Sequence, residues 1–210
     1  MRFLVLGPVE VSGEDGPLSL GGRKQRLVLA HLVVRANSLV PTDVLIDEVW
    51  GEEPPDSVRS TLQGYVSHLR RAIGADRLEG RPSGYELHVL EGELDATSFE
   101  RLVAEGRGSL DVDPEEAAAR LAEAAALWRG PAFADLSDER SLHGEIARLS
   151  DLRLLAIEDR ISAELTLGRH ATLVGEIESL TVANPLRERL RDALRGRNRS
   201  AEAAPGGRAS

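Results

Sequence analysis

Ser57-Val-Arg-Ser-Thr-Leu-Gln-Gly-Tyr-Val-Ser-His-Leu-Arg-Arg-Ala-Ile73, closed by Gly74 and followed by Arg77-Leu-Glu-Gly-Arg-Pro-Ser-Gly-Tyr-Glu-Leu-His-Val89, decides the reading of this chain. Leu62, Val66, Leu69 and Ile73 recur at steps of 4, 3 and 4, a narrow apolar stripe on one side of a helix. Asp56 or Ser57 suits the start of that helix as a cap, and Gly74 stops it. Arg59, Ser60, Gln63, Gly64, Ser67, Arg70 and Arg71 project away from the stripe with no carboxylate among them. Beyond Gly74, Gly80-Arg-Pro-Ser-Gly84 lies between alternating stretches, which predicts a hairpin over 77–89.

On the N-terminal side, Phe3 to Val11 is rich in strand formers, Gly13-Glu-Asp-Gly16 supplies a turn, and Leu18-Ser-Leu20 alternates; a small antiparallel sheet is expected. Leu27, Ala30, His31 and Val34 then mark one helix, broken at Asn37-Ser38. Pro41-Thr42-Asp43 opens a second, with Thr42 as its cap, Leu45, Ile46, Val49 and Trp50 inward, and Gly51 as its stop. Glu52-Glu-Pro-Pro-Asp56 is a stiff acidic loop. From Asp95 onward the pattern is helical. Asp95 or Thr97 caps a helix to about Glu105, and Pro114 opens one through Trp128, ended by Gly130-Pro131. Ser137 or Asp138 begins a long helix to about Leu167, with a turn at Gly168-Arg-His170. Further apolar faces follow at Leu173, Val174, Ile177 and Leu180, and after Asn184-Pro185 at Leu186, Leu190 and Leu194. Such helical hairpins point to a helical-repeat layer.

The 210 residues suit two small domains, and zero Cys removes disulfides, thiolate zinc sites and cysteine nucleophiles together. A reducing, cytoplasmic setting is expected. Gly7, Pro8 and Glu10 break the first apolar run, so it reads as a strand rather than a signal peptide, and no stretch is apolar enough to span a membrane. His-Glu-x-x-His, Walker A and Gly-x-Ser-x-Gly motifs are absent. Gly21-Gly22-Arg-Lys24 and Gly106-x-Gly108 are fragments of nucleotide-binding loops without the required spacing. The His residues at 31, 68, 88, 143 and 170 lack metal-ligand spacing; all but His68 read as ordinary core or surface residues, and Glu115-Glu116 and Glu158-Asp159 as solvated helix faces. No enzyme activity, cofactor or metal is expected.

Net charge is −9, which alone argues against a polyanionic partner, yet the charge is unevenly spread. Residues 57–81 hold Arg59, Arg70, Arg71, Arg77 and Arg81 against Asp76 and Glu79. Residues 91–184 hold 9 basic and 20 acidic side chains, and residues 185–210 hold 7 basic and 3 acidic. A helix in the major groove must offer donors and acceptors to base edges, with cations nearby for phosphates; Arg, Ser and Gln supply both. A helix that stops at Gly74 and leads into a hairpin carrying Arg77 and Arg81 is the plan of a winged helix. The plain alternative for Arg70 and Arg71 is a surface ion pair with Asp76 or Glu79.

Glu48-Val-Trp-Gly-Glu-Glu-Pro-Pro-Asp56, Val58 through Gly74 and Gly84-Tyr-Glu-Leu87 closely resemble the OmpR-type winged helix of the Streptomyces antibiotic regulatory protein family. Leu127-Trp-Arg-Gly-Pro131, Ala156-Ile-Glu-Asp-Arg160, Leu167-Gly-Arg-His170 and Asn184-Pro-Leu-Arg-Glu-Arg-Leu190 resemble the bacterial transcriptional activation domain that follows it. The resemblance implies an α+β winged helix over 1–92, an all-α tetratricopeptide-like domain over 95–194, and a disordered basic tail over 195–210. It implies double-stranded promoter DNA as partner, bound at direct repeats, with Arg59, Ser60, Gln63, Ser67, His68, Arg70 and Arg71 at the major groove and Arg81 at the wing. His68 departs from the Arg more usual in the family. Arg23 and Lys24 are expected to hold a phosphate, and Glu52, Glu53 and Asp56 to meet RNA polymerase. The family's activation domain continues beyond Leu190 with further helices, so a truncated or frame-shifted member is expected, with Leu173, Ile177 and Leu190 uncovered, a face that favours dimerisation, instability or docking of a partner; a homodimer on DNA is among the expected partners. A truncated competitor for the operator and a helical protein-binding adaptor stay open as alternatives.

Overall fold

The computed structural model describes residues 1–169 together with Leu173 and Gly175. Strands β1 (Arg2–Leu4), β2 (Glu10–Gly13) and β3 (Gly16–Pro17) form an antiparallel meander with Phe3 opposite Val11. Helix α1 (Arg23–Val34) follows, then strand β4 (Leu39–Pro41), α2 (Thr42–Trp50), α3 (Val58–Ile73) and the hairpin β5 (Leu78–Arg81) and β6 (Gly84–Leu87). The second sheet has the order β4-β6-β5. Helices α4 (Asp95–Ser109), α5 (Pro114–Ala126) and α6 (His143–Thr166) complete the described chain, with short 3₁₀ turns at Ala134–Leu136 and Arg140–Leu142. The α+β winged helix and the helical region after it are thus both present. None of the described helices is long and apolar enough to cross a membrane.

Several local expectations are corrected. Strand β4 falls between the break at Asn37-Ser38 and the helix start at Pro41, where the sequence pattern predicts no element; it exists because its backbone completes the sheet beside β6. Pro41 lies opposite Gly84, and a β-carbon on Gly84 would fall on the Val40 carbonyl oxygen, so the strands meet this closely only because residue 84 is glycine. Thr42 is the first residue of α2 and caps nothing; Pro41 holds the cap position. Helix α5 ends at Ala126, which leaves Trp128 outside it with its ring edge-on to Phe99 at 5.3 Å. The long helix starts at His143, because the chain first makes two 3₁₀ turns. Gly106 lies in α4, where a β-carbon would come within 2.7 Å of the Leu121 side chain of α5; it is a packing glycine. Leu173, expected to lie uncovered, is buried. His170, Val174, Ile177, Leu180, the helix from Leu186 to Leu194 and the tail over 195–210 lie outside the described residues.

Two compact units emerge. The first joins Met1–Glu100 to Ala126–Leu152; the second joins Arg101–Ala125 to the chain from Arg153. In the first unit the Arg129, Phe133 and Ala134 N–H groups donate to the carbonyls of Leu6, Val5 and Gly7, so 129–134 pairs with the backbone that follows β1. Asp135 accepts from the Val9 N–H at 2.8 Å and from Arg26 Nε at 2.6 Å. Asp95, only 4% exposed, accepts from the Val5 N–H at 2.9 Å and the Leu6 N–H at 3.0 Å. His31 is buried in α1, its Nδ1 2.5 Å from a Glu48 carboxylate oxygen and its Nε2 3.0 Å from Ser141 Oγ. In the second unit Ala117, Ala118 and Ala163 form a small-residue core edged by Leu110 and Leu167. Arg107 reaches the buried Asp159 at 3.0 Å.

Removing the Asp95 carboxylate strands two buried N–H groups, so Asp95→Ala should lose roughly 2–3 kcal/mol in urea unfolding. Burial pushes the His31 imidazole below its ordinary value near 6.5, against the opposing pull of Glu48. The unfolded chain therefore takes the proton first, and the stability contributed by neutral His31 is complete above the ordinary imidazole value and is lost progressively as pH falls below it. A stability profile over that range should slope downward on acidification, and His31→Gln should flatten it.

Candidate nucleic-acid interface

Helix α3 forms because its four stripe residues, Leu62, Val66, Leu69 and Ile73, all bury against the first unit. Neither expected cap acts through its side chain. Ser57 occupies the cap position without a side-chain bond, while the Val58 N–H donates to the Pro55 carbonyl and Ser60 Oγ donates back to the Ser57 carbonyl at 2.8 Å. At the other end Gly74, with φ of 101°, donates its N–H to the Arg70 carbonyl.

The face away from the stripe carries Ser60, Gln63, Gly64, Ser67 and Arg71, all exposed. A β-carbon on Gly64 would meet nothing within 4 Å, so that surface is open. Arg71 Nε leans on the Ser67 carbonyl at 3.4 Å. Arg70 is half-buried, its Nε enclosed and its guanidinium beside Gly80 and Tyr85 of the hairpin. Among the described residues neither Arg70 nor Arg71 forms an ion pair, so the alternative pairing with Asp76 or Glu79 does not occur. His68 turns off the open face: it is half-buried, with Nε2 enclosed and without a hydrogen-bond partner.

The other cations of the patch are held by carboxylates. Arg59 pairs with Asp43 of α2 at 2.5 Å, both well exposed. Arg77 makes a two-pronged contact with Glu93 at 2.7 and 2.8 Å and is largely buried. Arg81 lies between Glu79 at 3.2 Å and Glu86 at 3.0 Å. Glu86 escapes a count over residues 57–81, because only the hairpin places it opposite Glu79. The His88 imidazole and then Arg81 hold the Glu79 carboxyl below its ordinary value.

Arg23 and Lys24 are likewise occupied. Arg23 contacts Asp138, Glu139 at 2.9 Å and the Asp135 carbonyl, and Asp138, then Glu139, raise the guanidinium above its ordinary value. Lys24 Nζ donates to the Val49 carbonyl at 3.0 Å, near the end of α2, and sits 5.0 Å over the Trp50 ring. Trp50 in turn stacks on Tyr65 of α3, with centroids 5.9 Å apart and planes 7° from parallel. Nothing in the sequence pattern singled out this Lys24–Trp50–Tyr65 pile. The loop that leaves Trp50 exposes Glu52, Glu53 and Asp56.

This face offers amide, hydroxyl and guanidinium groups of the kind that read base edges and phosphates. Residues 16–86 match the family described as transcriptional regulatory protein, C terminal, and residues 94–204 match the bacterial transcriptional activator domain. The regulatory protein DnrI of Streptomyces peucetius is 37% identical over 206 residues, covering 90% of this chain and 74% of that protein. The transcriptional regulator RedD of Streptomyces coelicolor is 33% identical over 198 residues, covering 90% of this chain and 57% of that protein. The solved structure of Mycobacterium tuberculosis EmbR in complex with a low affinity phosphopeptide superposes with a TM-score of 0.88 at 32% identity, covering 93% of this chain and 54% of that one. With its winged helix followed by an activator domain, the chain belongs to the Streptomyces antibiotic regulatory protein family of DNA-binding transcriptional regulators.

Proposed function

We propose that this chain activates transcription in the cytoplasm by seating α3 in the major groove of promoter direct repeats, with no enzymatic step. The observation that carries the reading is a helix face with Gln63, Ser67 and Arg71 exposed and no carboxylate on it, flanked by an Arg70 that has no ion-pair partner among the described residues. Gln63 is the residue suited to two-point contact with adenine, and Arg71 to guanine or phosphate. Arg59 reaches phosphate by exchanging an exposed carboxylate for it, at little cost because such pairs are weak, and Arg81 does so by leaving the exposed Glu79 and the more enclosed Glu86. Arg23 and Lys24 contribute less, since each already has structural partners. His68 serves packing more than contact with DNA.

The winged helix over 1–92 is the reader in this proposal, and the helical domain over 95–194 supports activation. Copies bound head to tail on repeats about one helical turn apart lie on the same face of the duplex, which is the only dimer the reading requires. The acidic loop residues Glu52, Glu53 and Asp56 stand free to meet a basic surface of RNA polymerase. Fluorescence anisotropy on the chain's own upstream promoter duplex and on a scrambled duplex tests the reading. Arg70→Ala/Arg71→Ala should weaken promoter binding at least tenfold and lower the salt slope by about two. Gln63→Ala should relax preference at one base position by about 1–3 kcal/mol with the salt slope unchanged. Equal, weak binding of the folded wild type to both duplexes would overturn the proposal.

A further inference from the structure

Glu79 and Glu86 sit directly opposite each other on the β5–β6 hairpin, while the neighbouring pair Leu78 and Leu87 is buried on the other face. Like charges at opposed positions repel, so this arrangement requires a cation. Arg81 fills that role, its guanidinium bridging both carboxylates. One residue beyond β6, the His88 imidazole stands between the same two carboxylates, with Nε2 3.4 Å from Glu79 and Nδ1 3.9 Å from Glu86. The backbone at His88 is fixed by its N–H bond to the Arg77 carbonyl. Glu86 is only 15% exposed, so its charge is partly withdrawn from water.

We propose that Glu79, Glu86 and His88 form a binding site for a divalent transition cation of the zinc class, in competition with Arg81. Each residue offers one ligand atom, and these atoms lie within 4.8 Å of one another. Side-chain rotation brings such a set to the bonds of about 2.0–2.2 Å that zinc makes to imidazole nitrogen and carboxylate oxygen. The nitrogen donor is what selects this class: calcium and magnesium take oxygen sets, whereas imidazole suits zinc, nickel and copper. The spacing in sequence hides the site, because Glu79 and Glu86 are adjacent only through the hairpin. A cation there displaces the Arg81 guanidinium, and on the proposed function that guanidinium becomes available to a phosphate beside the wing.

Calorimetric titration of zinc chloride into the untagged full chain, without DNA, is the test. One equivalent should bind, with binding lost in His88→Ala and Glu86→Gln and kept in His143→Ala. Arg81→Ala, which removes the competitor and no ligand, should bind zinc about fivefold more tightly. Absence of saturable uptake, uptake that survives His88→Ala, or unchanged affinity in Arg81→Ala would each overturn the site. Promoter anisotropy on the same samples keeps the two readings apart: a chain that takes up zinc but does not prefer its promoter retains this site and loses the proposed function, and the converse result does the reverse.

Discussion

The carboxylate of Asp95, at the first residue of α4, holds the Val5 and Leu6 N–H groups where β1 has just ended. Two residues earlier, the Glu93 carbonyl takes the Phe3 N–H at 2.7 Å, and its side chain takes Arg77 and the Leu90 N–H. This short span therefore ties the first sheet to the end of the wing and to the start of the helical chain. A buried carboxylate is costly unless it is hydrogen-bonded, and these N–H groups have lost the partners that a longer strand would supply. Each side resolves the other's deficit. The core of this unit, with Phe3, Leu27, Leu62 and Leu69 fully buried, is mostly aliphatic, and the buried His31 in it is met by Glu48 and Ser141.

Charge behaves differently from its sequence count. Five arginines over 57–81 promised a strongly basic patch, but folding hands Arg59, Arg77 and Arg81 to carboxylates that lie outside their helix or across the hairpin. Arg77 is structural, Arg59 is held only by an exposed pair, and Arg81 is shared between the exposed Glu79 side chain and the more enclosed Glu86. What is left unpaired among the described residues of α3 is Arg70 and Arg71, beside the neutral donors Gln63 and Ser67. In a chain of net charge −9, such a surface relies on the fit of a few donors more than on bulk attraction to a polyanion.

The parts of the fold that were legible in the sequence are those whose signal is local. The stripe of α3 is a period, and all four of its residues are buried; the hairpin is a turn between alternating runs; Pro114 after Asp113 is a helix start, with the Asp113 carboxylate taking the Glu116 N–H. Strand β4 was illegible because three residues carry no period, and its pairing depends on Gly84, more than forty residues away. The allocation of 126–152 to the first unit was illegible for the same reason: it rests on backbone bonds to Val5, Leu6 and Gly7, and backbone groups are alike in every residue. At the site, which residues face outward followed from helical geometry, whereas His68 and the ownership of each arginine depended on neighbours brought by the fold.

The aromatic pile beside α3 has a mechanical consequence. Trp50 is in contact with both the Lys24 ammonium and the Tyr65 ring, and the acidic loop begins immediately after it, stiffened by Pro54 and Pro55 and anchored again where the Val58 N–H meets the Pro55 carbonyl. The loop is thus a short lever with both ends seated on the same small assembly of helices. A displacement of Glu52 or Glu53 bears on Trp50 within two or three residues, and Trp50 shares its ring face with Tyr65, so the loop and α3 are joined through one aromatic contact with little slack chain between them.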